Sequence, residues 1–240
     1  MDARAADAAA DVAARSLDIW LARLAVLAIV ALQLLLVNDL SPFPRWLLPA
    51  LELAMLAPLS IATAWSLGKT RGVADAEDPS DRWATVVGHR KAIRTAFLAM
   101  TAFVSAANLI SLNGLVFAIL GGHAANGKSL LLDSLNIWGT NLLVFALWYW
   151  HIDRKVAGLD EEVAPDFVFT QQTLPPELTR RAYNPGFVDY LFLAFTNATA
   201  FSPSDTFPLT ARAKLLMMLQ ALISLVTIAL VAARAVGILA

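Results

Sequence analysis

The sequence predicts an all-α fold: a polytopic transmembrane helix bundle with five spans plus one short or re-entrant pore-type helix. Three observations predict it. Hydrophobic residues make up 58% of the 240 residues and charged ones only 15%, where a soluble domain carries about a quarter. Mean hydropathy is +0.63. Apolar runs of spanning length recur along the chain, and between the last two a polar stretch bracketed by Pro203 and Pro208 interrupts the helical pattern.

The elements follow in order. Residues 1–17 are Ala-rich and acidic, with no small-residue cleavage site after the first apolar run, and read as a cytoplasmic segment that is not a secretory signal. The first span covers 19–37, with Arg23 one turn inside its start. The second covers 46–67, interrupted by Pro49 and Pro58 and carrying Glu52. The third, 92–120, exceeds the roughly 20 residues a crossing needs, so it tilts or projects. The fourth covers 135–150. A short apolar helix follows at 187–201, and the last span covers 209–239. The domain reading is a cytoplasmic N-terminal segment (1–17), a four-helix membrane region (18–151), a cytoplasmic connection (152–186) and a helix–loop–helix module (187–240). Within the connection, four prolines argue against a long helix, and FVFTQ after Asp166 reads as a short interfacial segment.

Lys and Arg set orientation. If the chain returns after Phe201 to the side it came from, only Arg45, Lys128 and Arg234 of the eighteen Lys and Arg lie outside. The N-terminus is therefore expected in the cytoplasm, and the protein in a cell (inner) membrane. Trp148, Tyr149 and Trp150, followed by His151, Asp153, Arg154 and Lys155, read as an interfacial aromatic belt.

Several chemistries are excluded. There is no cysteine, so disulfides and thiolate sites are absent. A net charge of −1 gives no footprint for nucleic acid. His89, His123 and His151 are far apart and make no metal site, and no nucleophile–base spacing appears. Neither an enzyme nor a cofactor is expected. Residues 122–129 (GHAANGKS) match the phosphate-loop pattern, but that motif needs a strand before it and a parallel sheet around it. Here it reads as a Gly-rich turn between two spans.

The 187–239 region carries a resemblance. Asp205, Pro208, Thr210 and Lys214 stand at the spacings of the D-x-x-P-x-T frame and following basic residue of potassium channels, with Thr199 in the place of the last pore-helix threonine. The segment thus resembles a potassium-channel pore loop. The resemblance implies an oligomeric pore and excludes a potassium filter. Where that family has TVGYG, this chain has Ala200, Phe201, Ser202, Pro203 and Ser204, without the glycines that let successive carbonyls face one axis. The strings ALWYWHIDRK and DYLFLAFTNATAFSPSDT also resemble a family of bacterial membrane proteins of about this size, a likeness that implies no activity.

Candidate pore-lining residues are Thr196, Asn197, Thr199, Ser202, Ser204 and Asp205, with Asp205 giving cation preference as a ring of carboxylates. The expected function is a channel-like protein, a homo-oligomer in the lipid bilayer, passing monovalent cations. The alternative is a non-conducting scaffold or accessory subunit in which the break is a capped turn, Asp205 or Thr206 being the N-cap of the last helix and Pro208 in its first turn. Two ionisable residues lie inside apolar runs. Arg23 is placed to snorkel. Glu52 reads either as a proton or cation site or as a protonated or partner-bonded structural residue. Thr101, Ser105, Asn108 and Leu112 at helical spacing on the third span, with Ser111 and Asn113 nearby, and Asn136, Thr140 and Asn141 on the fourth, read as interhelical glue in preference to a permeation path.

Overall fold

The structure is a computed structural model. It describes residues 3–36, 40, 44, 46–54, 56, 79–120, 127–153, 164–175, 183–200, 202 and 205–239; for 3–16, 79–90, 120, 127 and 234–239 it describes the backbone alone. These residues are mostly helical. In chain order they form α1 (Ala3–Leu34), α2 (Pro79–Leu120), α3 (Gly127–Asp153), β1 (Phe167–Phe169), the single turn α4 (Thr170–Thr173), α5 (Phe187–Thr199), β2 (Thr206–Pro208) and α6 (Ala211–Leu239). Residues 47–54 are also helical.

Among the described residues, four helices are long and apolar enough to cross a membrane: Leu17–Leu34, Lys91–Ile119, Lys128–Asp153 and Ala211–Ala233. Each is free of proline, which would remove a helical hydrogen bond. The centre of the bundle is α3, with 61% of its apolar window buried inside the molecule, against 28% for α1 and α6 and 33% for α2. The outer helices turn large apolar side chains outward, Trp20 and Leu24 on α1, Phe117 on α2, and Leu215, Met218 and Leu222 on α6 among them. Apolar surface on that scale suits contact with lipid.

Side-chain contacts fix the helix directions. The rings of Phe97 and His151 lie 5.2 Å apart, and Trp148 Nε1 donates to Ser105 Oγ at 2.9 Å, so α2 runs antiparallel to α3. Asn141 Nδ2 donates to Ser224 Oγ at 3.1 Å and Tyr149 Oη to Gln220 Oε1 at 2.5 Å, which sets α6 antiparallel to α3 as well. Ser105 and Asn141 thus act as the glue expected of them, while Thr101 bonds the Phe97 carbonyl of its own helix. At the far end of the bundle, α2 keeps Gly114 because a Cβ there would meet the Leu40 carbonyl at 2.0 Å.

Two corrections concern the connections. FVFTQ is not simply interfacial: Phe167–Phe169 pairs antiparallel with Thr206–Pro208, in the register Phe167↔Pro208 and Phe169↔Thr206. The period-2 alternation explains this, since Phe167 and Phe169 are buried on one face while Val168 points the other way. Pro208 is tolerated because it ends an edge strand. The all-α expectation therefore gives way locally to one two-stranded ribbon. The aromatic belt is the second correction, since Tyr149 and Trp150 are buried. Tyr149 packs edge-on against Phe167 at 5.3 Å, and Trp150 against Phe187 at 5.8 Å.

Candidate functional site

The surroundings of α5 are organised by two aspartates, one at the end of α3 and one beyond it. Asp153 is the last residue of α3. Its Oδ1 accepts the backbone N–H groups of Asp166 at 2.6 Å and Phe167 at 3.0 Å, which starts β1. Its Oδ2 accepts the Tyr190 hydroxyl of α5 at 2.6 Å. Asp166, almost fully buried, takes a two-pronged contact from Arg212 of α6, Nε to Oδ1 and Nη2 to Oδ2, both at 2.6 Å. Fork-on-carboxylate geometry of this kind is among the strongest hydrogen bonding available to side chains. The Thr210 hydroxyl also donates to Asp166 Oδ1, and the Leu209 N–H to the Asp166 carbonyl at 2.8 Å.

The start of α5 is held at the same end. Phe187 N–H donates to Asp18 Oδ1 of α1 at 2.9 Å, and Asp189 Oδ2 reaches back to the Gly186 N–H at 2.7 Å. Carboxylates at a helix N-terminus satisfy its free N–H groups and complement its dipole. A Cβ at Gly186 would stand 2.8 Å from Asp18 Oδ1, so a side chain there would displace the Asp18 carboxylate. Asp189 Oδ1 accepts the Tyr183 hydroxyl at 2.5 Å. Burial, then the bond to Asp189 and its charge, push the Tyr183 phenol above its ordinary range.

From this anchored start α5 runs inward for 13 residues, about 20 Å, and meets a buried polar network. Asn197 Nδ2 donates to Gln220 Oε1 at 2.8 Å and to the Met217 carbonyl at 3.0 Å, with Tyr149 Oη at 3.3 Å. Gln220 Nε2 in turn donates to the Ala194 carbonyl at 2.8 Å. The network joins α3, α5 and α6, and it is closed: Asn197, Gln220 and Tyr149 all have partners. The chain then comes back to the ribbon, where the Asp205 carbonyl accepts the Thr170 N–H at 2.8 Å and its hydroxyl at 2.9 Å.

The sequence-predicted pore residues are thus not gathered at one place in the chain. Asn197 is buried. Thr196 and Thr199 bond carbonyls of their own helix, at Phe192, Leu193 and Phe195. Thr199 and Ser202 lie on the outside. Asp205 is half-buried, its Oδ1 accepting the Thr206 hydroxyl at 3.1 Å, and Ser204 is outside the described residues. Thr199 ends a stripe of exposed residues along α5, with Val188, Phe192 and Phe195, spaced four, three and four apart as one helix face requires.

The N-cap of α6 is also corrected. It is Thr210, whose Oγ1 accepts the Ala213 N–H at 3.3 Å, with Asp205 in the turn before β2 and Thr206 and Pro208 in that strand. Of the other ionisable candidates, half-buried Arg23 has its guanidinium carbon 5.1 Å from the centroid of the Trp20 ring. Glu52 is bonded by Gln33 near the opposite end of α1. Residues 122–126 of the phosphate-loop match lie outside the described residues, and 127–129 open α3. Among the described residues no group of three His, Cys, Asp or Glu side chains could hold a metal ion.

Asp153, Asp166, Tyr190, Arg212 and Gln220 carry this architecture and were not singled out from the sequence. Gln220 had a signal, as the one amide in a predominantly apolar helix. The two aspartates had none, since they stand among other charges in a hydrophilic connection. No family model, curated protein or solved structure matches this chain.

Proposed function

We propose that the chain is a channel-like integral membrane protein with five crossings and one re-entrant helix, α5. It works as a homo-oligomer in a bacterial inner membrane, with its N-terminus cytoplasmic. The observation that carries this reading is that α5 and α6 both start at the Asp153–Asp166 end of the bundle. The chain between them goes in about 20 Å and returns, whereas a hydrocarbon core is about 30 Å thick. Non-helical backbone at membrane depth is tolerated only where protein buries it or water lines it. A fifth crossing within residues 46–67 agrees with Glu52 lying beside Gln33 at one end and Phe97 beside His151 at the other.

Thr199 and Ser202 then line an axis shared between copies, and Asp205 forms a carboxylate ring at its cytoplasmic mouth, favouring monovalent cations. Asn197 positions the tip and does not line the path. Purified protein in liposomes passes cations, and flux falls in Thr199→Ala and in Asp205→Ala. Flux that is absent, or unchanged in both variants, sinks the reading. The non-conducting scaffold has its own support in the Thr210 cap and the self-bonded hydroxyls of Thr196 and Thr199. It predicts a strict monomer in mild detergent and no flux.

A further inference from the structure

At the end of the bundle opposite the Asp153–Asp166 pair, Glu52 is fully buried in the helical residues 47–54. Its Oε1 accepts Gln33 Nε2 of α1 at 2.7 Å. Two acceptor atoms of this same pair, Glu52 Oε2 and Gln33 Oε1, are buried with no hydrogen-bond partner. A buried ionised carboxylate needs a counter-charge or several donors, and a buried acceptor left unmade costs about 1–3 kcal/mol. Among the described residues Glu52 has one neutral donor and no cation beside it. The charged residues described on the neighbouring elements do not supply one. Arg23 lies ten residues before Gln33 on α1, about 15 Å away along the axis, and α2 carries no charged residue after Arg94. Lys128 and Asp133, at the start of α3, have interactions of their own. Asp39 and Arg45 lie outside the described residues.

One proton resolves both orphan atoms. On Glu52 Oε2 it donates to Gln33 Oε1 while Gln33 Nε2 donates to Oε1, closing the two-bond ring of a carboxylic acid–amide pair. A metal cation fits far less well, since hard cations take about six oxygens and two are free here. We propose that Glu52 is a proton-binding site, carried as the neutral acid in a cyclic pair with Gln33, and that its occupancy holds residues 47–54 against the end of α1. Loss of the proton leaves a buried carboxylate facing an amide oxygen, which drives the two apart. The inference is independent of the permeation reading.

Infrared spectroscopy of the full-length protein in micelles tests it. The comparison is made at about pH 6, where an ordinary glutamate, with a pKa of about 4.3, is ionised. The expected result is a carboxylic-acid C=O band in the wild type that is lost in Glu52→Gln, an isostere of the neutral acid. In Gln33→Leu, which keeps the acid and removes its partner, the band persists at higher frequency. Thermal midpoints of wild type and Glu52→Gln lie closest below about pH 4, where the glutamate is protonated folded or unfolded, and separate as pH rises above its unfolded pKa of about 4.3, the wild type falling. Absence of the acid band, or the same midpoint difference at every pH, overturns the site. A band unmoved in Gln33→Leu overturns the pairing.

Discussion

At the scale of single residues, the decisive chemistry is a pair of carboxylates used as junctions. Asp166 is buried while the Arg212 side chain that neutralises it is about half exposed, so the arginine closes the junction from outside. Among the described residues, removing it leaves the Asp166 carboxylate with the Thr210 hydroxyl and no cation. Arg212→Ala is expected to lower stability by about 1.5–3 kcal/mol, the range for hydrogen bonds to charged groups. Arg212→Lys recovers only part, because an ammonium cannot reproduce two parallel bonds. Thermal unfolding in detergent measures both, and a loss under about 0.5 kcal/mol for Arg212→Ala, typical of an exposed pair, shows that the junction is not closed this way. None of this was legible in the chain, where Asp166 and Arg212 are 46 residues apart and look like ordinary charges flanking apolar runs.

At the scale of elements, α5 is a short helix pinned at both ends. Asp18 and Asp153 hold its start, and Asn197 fastens its tip to α6 and α3. Its length and apolar character were readable from the run before Ser202, and so was the break that follows. The partner of that break was not, because strand pairing between 167–169 and 206–208 depends on which segments the bundle brings together. Two variants separate anchoring from surface chemistry. Asn197→Ala takes one donor from each of Gln220 Oε1 and the Met217 carbonyl and costs about 1–2 kcal/mol, whereas Thr199→Ala, losing a bond to its own helix, stays within about 0.5 kcal/mol. Equal losses in the two would show that the network does not anchor the tip.

At the scale of the whole molecule, topology carries the functional reading. Re-entry predicts that the chain just before α5 and just after the return lies on one side of the membrane. Asn184 and Leu209 are both exposed, and the chain has no natural cysteine. Asn184→Cys and Leu209→Cys are expected to react with a membrane-impermeant thiol reagent from the same side, the cytoplasmic one. Labelling from opposite sides turns α5 into a sixth crossing and removes the basis for a pore loop.

Composition and apolar periodicity by themselves determined that this chain is mostly helical, with several helices long and apolar enough to span a membrane. These are local properties, set by how many consecutive side chains avoid water and by where proline interrupts them. The same local signals marked Glu52 and the polar break after α5 as places of interest. Only the tertiary structure decided what those places touch. It spent Asn197 on a buried network, left Thr199 outside, moved the cap of α6 to Thr210, and gave Glu52 a single amide for company. The reason is physical: a polar group in an apolar interior is defined by its partners, and these come from helices 19 to 83 residues away in the chain.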